Sequence, residues 1–252
     1  MAILALPAQR TLWLDLARGG AICAMIVYHG AFDLSFFGLV DWNVAFDPAW
    51  RTFAAAIAST FLFLVGISLV AAHKGGVRWR AFGKRFLVVG GCALLVTAAT
   101  VAAMPAPIYF GILHAIAAFS VLALPFLKMP WWVSAVAALV VFAAPAVATS
   151  NLFAHPAFYP LGLSPVRPFT FDYEPIFPWL GATLLGVAFA LKLPQAIARP
   201  SGPVDTGLAV RVIAAAGRNS LAIYLLHQPI LFGFLLVFLW WTSGPIVIGA
   251  AG

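Results

Sequence analysis

Long apolar segments separated by short polar stretches make up most of this chain. We predict that seven of them are membrane-spanning helices, because each approaches the roughly 20 residues that an α-helix needs to cross the hydrocarbon core of a bilayer. Their expected boundaries are residues 13–37, 50–72, 84–104, 108–127, 131–148, 174–192 and 219–241. The pattern therefore predicts an all-α polytopic membrane protein with about seven transmembrane helices, arranged as a single transmembrane domain over residues 1–252.

The segments between the spans differ in character. Residues 149–173 are rich in proline and aromatic side chains, and a loop of that length is often a lid or a binding element. Residues 193–206 are expected to be a flexible connector. They lead to a short helix over residues 207–216, which we expect Gly217 to end.

Composition and charge support the membrane assignment. Only 8% of the 252 residues are charged and 64% are hydrophobic, whereas a soluble domain carries about a quarter charged residues. The net charge is +7, but 12 of the 14 lysines and arginines fall on one side of the predicted topology, all except Arg51 and Arg167. The positive-inside rule assigns that side to the cytoplasm. We therefore expect a cytoplasmic N-terminus, an extracytoplasmic C-terminus, and a lipid bilayer rather than a nucleic acid as partner.

The first span carries ionisable side chains along one face, beginning at Asp15. Arg18, His29 and Asp33 follow at about 300°, 320° and 0° around the helix. Charged groups at membrane depth are costly and normally line a protein interior or a water-filled site. The stripe is therefore a candidate functional site.

Five polar groups are expected to converge on one outward-facing site. His29 lies in the outer half of the first span, and Asp33 follows at i+4, within reach of a hydrogen bond to the imidazole. His114 enters the fourth span at a similar depth. Asp172 and Glu174 stand at the outer mouth of the sixth span.

A second polar group is expected to face inward. In the seventh span, Ser220, Tyr224 and His227 are spaced i, i+4, i+7 and form one stripe. One outward-facing and one inward-facing stripe would together form a passage open to both leaflets if the helices pack together. The members of the inward group are Arg18, Arg218, Asn219, Ser220, Tyr224, His227 and Gln228.

Each of these groups also has a structural alternative. The histidine–carboxylate pair of the first span could be a satisfied structural pair. His114 could hydrogen-bond a neighbouring helix. Asp172 or Glu174 could cap the sixth span, and Arg18 could reach the inner interface or pair with Asp15.

A histidine supported by a carboxylate is the minimal unit of general-base or nucleophilic catalysis. The carboxylate fixes the ring tautomer and stabilises the imidazolium that forms. No serine or cysteine is an obvious nucleophile beside His29, so this histidine is expected to act as the base or as a transient acyl carrier. The basic inner face suits an anionic cytoplasmic ligand such as a phosphorylated acyl donor. No metal is expected.

Six short blocks follow one another over residues 11–232. They are Asp15-x-x-Arg18-Gly19, His29-x-x-x-Asp33-Leu34, Phe61-Leu62-Phe63-Leu64-Val65-Gly66-x-Ser68-Leu69, Phe110-Gly111-Ile112-Leu113-His114-x-Ile116-Ala117, Asp172-Tyr173-x-Pro175-x-Phe177-Pro178-Trp179-Leu180-Gly181, and Gly217-Arg218-x-Ser220-Leu221-x-Ile223-Tyr224-Leu225-x-His227-Gln228-Pro229. In this order they resemble the heparan-alpha-glucosaminide N-acetyltransferase catalytic-domain family. Arg18 and His29 also reproduce the Arg-x10-His signature of related membrane acyltransferases that modify bacterial glycans.

The resemblance implies a multi-helix acyltransferase, a bacterial member of the family in the cytoplasmic membrane. Such an enzyme takes an acetyl or acyl group from cytoplasmic acyl-coenzyme A (acyl-CoA, commonly acetyl-CoA) and hands it to an extracytoplasmic amino sugar or glycan. The family also places its catalytic histidine towards the outer side, which His29 matches by depth. A homodimer is left open.

The mechanism expected from this resemblance gives each polar group a role. Asp33 supports His29, and His114 stabilises the oxyanion. The inward group binds acyl-CoA, with the phosphates near its two arginines and near the basic loop 74–85. Asp172 and Glu174 bind the acceptor beneath the loop 149–173.

Other classes remain as alternatives. A proton-coupled transporter or flippase could use the pair His29 and Asp33 as a proton relay, although the chain shows no internal repeat of the kind such carriers usually have. A haem protein would need paired axial histidines, for which His29, His114 and His227 are weak candidates. A retinal protein would need a lysine in the seventh span, and that span has none.

Overall fold

A computed structural model describes residues 12–103, 106–198 and 207–243, and all regular structure in these ranges is helical. The expected all-α class is confirmed for this part of the chain. The α-helices are α1 (Leu12–Phe36), α2 (Pro48–Ala72), α3 (Trp79–Ala103), α4 (Ile112–Leu122), α5 (Trp131–Ala148), α6 (Ile176–Lys192), α7 (Leu208–Arg218) and α8 (Ser220–Ser243). Short 3-10 helices cover Leu124–Lys128, Asn151–Phe153, Pro156–Leu161 and Pro194–Ile197.

Five of these helices, α1, α2, α3, α5 and α8, are long and apolar enough to cross a membrane. The helices α4 and α6 are apolar but shorter. Each predicted span contains a helix, yet a total of about seven crossings and their orientation stay predictions. The first part of the predicted connector, up to residue 198, contains the 3-10 turn Pro194–Ile197, and the remainder lies outside the described residues.

The fourth span was predicted over residues 108–127, and this prediction is wrong at both ends. The α-helix covers only Ile112–Leu122, and a 3-10 turn over Leu124–Lys128 follows it. Pro125 has no backbone N–H and cannot continue the α-helical hydrogen-bond ladder. The third helix is longer than predicted at its start, since it begins at Trp79 rather than at residue 84. It therefore includes part of the basic loop.

Gly217 was expected to end the short helix after the connector, but α7 continues through it to Arg218. The glycine instead lies where α7 crosses α1. A Cβ at Gly217 would sit 1.8 Å from the backbone oxygen of Asp15, and one at Gly19 would sit 2.1 Å from the backbone oxygen of Ile213. The two glycines therefore allow the backbones of α1 and α7 to touch, as small residues do in membrane helix packing.

The chain forms two compact units, whose boundary falls inside α2 between Ile57 and Ala58. The first unit contains α1, the start of α2, α7 and α8, and in it α1 packs against both α7 and α8. The second unit, residues 58–200, contains the rest of α2 and the helices α3 to α6. In that unit α5 packs on α6, while α4 packs on both α3 and α6. The expectation of a single transmembrane domain stays a prediction.

The second unit has its own close helix crossing, between α2 and α6. A Cβ at Gly66 would lie 2.1 Å from the backbone oxygen of Thr183, and one at Gly186 would lie 2.0 Å from that of Phe63. Phe119 of α4 and Leu184 of α6 are among its fully buried side chains. The loop 149–173 belongs to this unit and is folded into two 3-10 turns, with a left-handed glycine at Gly162 (φ 81°).

The crossing of α1 and α7 predicts a strong effect of a single methyl group. Gly217→Ala should lower the free energy of unfolding by about 1–3 kcal/mol or more, because the backbone oxygen of Asp15 cannot give way as a flexible side chain would. Gly233→Ala is the matched control, since a Cβ at this glycine of α8 meets nothing within 4 Å. Thermal unfolding in detergent, followed by tryptophan fluorescence, measures both variants. Equal midpoints for the two variants would contradict the packing described here.

Candidate functional site

Two histidines from different helices meet inside the first unit. The ring centroids of His29 on α1 and His227 on α8 are 4.9 Å apart, with an angle of 56° between the ring planes. Sequence analysis had placed His227 in a separate inward-facing group, and this separation is wrong. Residue counts along a span give depth only for upright helices that start at one level, whereas α8 begins three residues after Gly217, which packs against α1.

The hydrogen bonding of His227 defines which nitrogen can act as a base. Its Nδ1 lies 2.6 Å from the backbone oxygen of Tyr224. A carbonyl oxygen only accepts, so Nδ1 carries the hydrogen and donates it, and Nε2 of the neutral ring keeps its lone pair. This Nε2 is buried and has no hydrogen-bond partner among the described residues. The pair thus presents a basic nitrogen in the interior of the first unit.

A buried carboxylate accompanies the histidine pair. Asp33 is only 1% exposed, and its Oδ1 accepts a hydrogen bond of 2.7 Å from the side-chain amide of Gln228. Its Oδ2 has no hydrogen-bond partner in the described part of the chain. Gln228 was predicted to bind the donor, and its observed contact is with Asp33. The hydrogen bond expected between Asp33 and His29 stays a prediction, although their i, i+4 spacing puts both on one face of α1.

A second buried carboxylate, Asp15, lies between two arginines. Its Oδ1 is 3.5 Å from Nη1 of Arg18, and its Oδ2 is 3.8 Å from Nη1 of Arg218. The pairing of Arg18 with Asp15, one of the two structural alternatives, is therefore present. The cluster therefore places two guanidinium groups and one carboxylate beside the crossing of α1 and α7.

The remaining residues of the predicted inward group have local contacts. The side-chain amide of Asn219 donates to the backbone oxygen of Ala215 and so caps the end of α7. Ser220 begins α8. The ring of Tyr224 lies 5.7 Å from that of His227. Of these three residues, only Tyr224 borders the histidine pair.

In the second unit, His114 is hydrogen-bonded to a neighbouring helix. Its Nε2 lies 3.2 Å from Oγ1 of Thr97 on α3. The Thr97 hydroxyl donates its hydrogen to the backbone oxygen of Ile108 at 2.6 Å. The hydroxyl oxygen therefore accepts from His114, so Nε2 carries the hydrogen and Nδ1 keeps the lone pair. This hydrogen bond to a neighbouring helix is the structural role that was considered for His114 as an alternative to a catalytic one.

Asp172 caps α4, not α6 as the capping alternative proposed. Its Oδ2 accepts a hydrogen bond of 2.9 Å from the backbone N–H of Ile112, where the dipole of α4 favours a negative charge. A short parallel bridge between Phe110 and Tyr173 holds the two segments together. Gly111 makes room for the carboxylate, because a Cβ there would lie 2.1 Å from Oδ2.

Glu174 lies just before α6 beside Asp172, and its Oε2 atom is buried. Burial raises the pKa of the Glu174 carboxyl well above its ordinary value, and the neighbouring Asp172 carboxylate raises it further, against a smaller lowering by Arg167. Burial also raises the pKa of Tyr173, whose ring faces the Arg167 guanidinium at 5.6 Å. Glu174 can therefore stay protonated next to an ionised Asp172 and act as a hydrogen-bond donor.

The five groups expected to converge are divided between the two units. His29 and Asp33 belong to the first unit, and His114, Asp172 and Glu174 belong to the second. Their convergence on one site stays a prediction. Within the described ranges, no three His, Cys, Asp or Glu side chains are placed to hold a metal ion.

The described residues thus form an all-helical membrane protein in which a half-buried His29 lies beside a buried His227. Residues 10–229 match the family described as heparan-alpha-glucosaminide N-acetyltransferase, catalytic. The match covers most of the chain, so this chain belongs to that family, and the resemblance carried by its six blocks is confirmed. Membership implies transferase activity of the membrane acetyltransferase type. No curated protein and no solved structure matches the chain.

Sequence reasoning missed three partners. It did not pair Asp15 with Arg218, did not consider Thr97, and did not connect Asp172 to α4. A threonine within an apolar helix is a signal that could have pointed to Thr97, because buried hydroxyl groups in membranes usually bond to another helix. The other two contacts join residues far apart in the sequence and carry no local signal.

The raised pKa of Glu174 predicts a pH-dependent stability. An ordinary glutamate has a pKa of 4.5, so above that pH the unfolded chain ionises while the folded protein keeps Glu174 protonated. The folded state therefore loses stability as the pH rises from about 4.5 towards the raised pKa. Glu174→Gln keeps a neutral donor beside Asp172 and should unfold at a higher temperature than wild type, by a margin that grows between pH 5 and pH 8.

Unfolding midpoints in detergent across this pH range measure the effect. Asp41→Asn, at an exposed position, is the control for removing one carboxylate at a surface site. A constant difference between Glu174→Gln and wild type over the whole range would show that Glu174 ionises normally in the folded protein.

Proposed function

We propose that this protein transfers an acetyl or acyl group from cytoplasmic acyl-CoA to an extracytoplasmic amino sugar or glycan. Membership of the acetyltransferase family supports the reaction class. The observation that carries the proposal is the pair of His29 and the buried His227, with the Asp33 carboxylate nearby. Nε2 of His227 is basic and has no hydrogen-bond partner among the described residues. The acetyl-CoA used in this family is the natural donor.

The reaction needs a base within reach of the acceptor. A ring nitrogen of His29 takes the proton from the acceptor amine or hydroxyl, whose nitrogen or oxygen attacks the thioester carbonyl. The carbon–sulfur bond breaks, and the coenzyme A thiolate takes up the proton from the imidazolium. In the variant with an acyl carrier, His29 itself attacks the thioester, the carbon–sulfur bond breaks, and coenzyme A leaves as the thiol with the ring proton. The acceptor then takes the acyl group from the ring and returns its own proton to His29.

The neighbours of His29 suit either route. His227 can exchange a proton with it, and the negative charge of Asp33 stabilises an imidazolium in a low-dielectric interior. Gln228 holds the Asp33 carboxylate through one oxygen, which leaves the other oxygen without a partner among the described side chains and available to a ring N–H.

The remaining polar groups suggest where the acyl donor and the acceptor bind. The guanidinium groups of Arg18 and Arg218 beside Asp15 suit the donor phosphates. Asp172 and Glu174 suit an amino-sugar acceptor, since an ionised and a protonated carboxyl can pair with an ammonium and a hydroxyl group. His114 can stabilise an oxyanion only through a protonated Nδ1, because its Nε2–H is used by Thr97.

A second candidate function rests on the same pair. Two imidazoles and a carboxylate that lie next to one another can also form a proton relay of the kind used by transporters. A proton-coupled transporter or flippase would move its substrate in response to a pH gradient without consuming acyl-CoA. Family membership favours the transferase.

The first test removes the base. His29→Ala should lower acyl transfer by roughly 10²–10⁴-fold, the usual contribution of a general base. Transfer from labelled acetyl-CoA inside proteoliposomes to an external amino sugar measures it, and His155→Ala in the exposed loop serves as the control. Undiminished turnover of His29→Ala would remove this residue from the chemistry.

The second test concerns the donor. Arg218→Gln should raise the KM for acetyl-CoA by about tenfold with little change in kcat, because a charge-assisted contact to a phosphate is worth about 1.5–3 kcal/mol. The control Arg211→Gln removes the same charge from the same helix, α7, seven residues before Arg218. Equal KM values for the two variants would place the donor phosphates elsewhere.

A further inference from the structure

A cavity of about 230 Å³ lies within the second unit, between the end of α2, the start of α3 and α4. One part of its wall is apolar and includes the rings of Phe82 and Phe86. The other part is basic and is formed by His73, Arg78 and Arg85. A hydrocarbon wall next to a cluster of cations is a combination that the proposed acyl-transfer chemistry does not require.

Neither arginine has a counter-charge among the residues that the structure describes. The second unit contains only two acidic residues, Asp172 and Glu174, and Asp172 is bonded to the start of α4. Among the described residues, no carboxylate forms an ion pair with Arg78 or Arg85. Arg85 lies six residues into α3, about 9 Å along the helix, where an unpaired charge is costly unless an anion accompanies it.

His73 supplies a third polar group at the same wall. Its Nδ1 lies 2.8 Å from the backbone oxygen of Leu69, so Nδ1 donates the hydrogen. Its Nε2 is buried and has no hydrogen-bond partner among the described residues. When a phosphate group lies beside it, this nitrogen can take up a proton and donate it to a phosphate oxygen.

We propose that this cavity binds the phosphate group of an anionic phospholipid, held by Arg78, Arg85 and His73. Basic pockets between membrane helices on the cytoplasmic side are known binding places for anionic headgroups. The apolar wall, with Phe82 and Phe86, would contact the hydrocarbon next to the phosphate.

The neighbourhood of the cavity favours a lipid over a soluble phosphate. Trp79 at the start of α3 is 68% exposed, as expected of an aromatic anchor at a membrane interface. Leu87 and Leu94 further along α3 are also exposed apolar side chains, which a bilayer would cover. The phosphates of coenzyme A share the same chemistry, and the test separates the two sources. The site does not depend on the proposed acyl transfer.

The experiment measures lipid binding directly. Purified protein in detergent is titrated with phosphatidylglycerol, and the bound lipid is counted by native mass spectrometry. Arg85→Gln and Arg78→Gln should each weaken binding by about tenfold, the effect of losing one charge-assisted contact. The control is Arg80→Gln, which removes a charge from the first turn of α3 without lining the cavity, and its binding should stay within about twofold of wild type.

Coenzyme A is then added as a competitor. Lipid binding that is lost in Arg85→Gln and unaffected by coenzyme A supports the lipid. Displacement of the lipid by coenzyme A, with the same loss in Arg85→Gln, keeps the phosphate site and overturns its assignment to lipid. Equal binding by Arg85→Gln and Arg80→Gln, or no retention by wild type, overturns the site itself.

Folding is controlled for in the same series. Arg85→Lys should restore part of the binding, and unfolding midpoints show whether each variant is intact. Because the experiment measures lipid binding, its outcome does not depend on whether the protein has acyl-transfer activity.

Discussion

The two buried carboxylates of α1 pack against polar partners that α7 and α8 supply. Asp15 lies against Arg218 of α7, and Asp33 accepts a hydrogen bond from Gln228 of α8. An apolar helix at membrane depth has no water to satisfy such groups, so each unpartnered one costs several kcal/mol. Gly217 lets the backbones of α1 and α7 touch, and the close crossing brings these partners within reach. The architecture of the first unit follows from this constraint.

The same packing produces the chemistry of the site. Once α8 lies along α1, His227 faces His29 at a ring separation of 4.9 Å, and the backbone of Tyr224 fixes which nitrogen of His227 is basic. The second unit holds its polar residues differently: Asp172 is used at the start of α4 and His114 is bonded to α3 through Thr97. The catalytic proposal therefore rests on the first unit, and the acceptor proposal on the second.

Much of this could be predicted from the sequence, because hydrophobic length and the helical period are local properties. They predicted the helices and the stripe from Asp15 to Asp33, and six short blocks indicated the family. The errors arose where tertiary packing decides. Gly217 has the sequence signature of a helix end, yet it lies inside α7 where this helix crosses α1. The fourth helix is shorter than predicted because Pro125 cannot continue it. His227 was assigned to the wrong group because depth along one span does not reveal which residues of another span it meets.

The central claim is that acyl transfer takes place at the pair formed by His29 and His227. An experimental structure with a non-hydrolysable acyl-CoA analogue tests it most directly. The account predicts that the carbon replacing the thioester carbonyl lies within about 3.5 Å of a ring nitrogen of this pair, the distance of a near-attack geometry. An analogue bound with that carbon in contact with neither ring would contradict it.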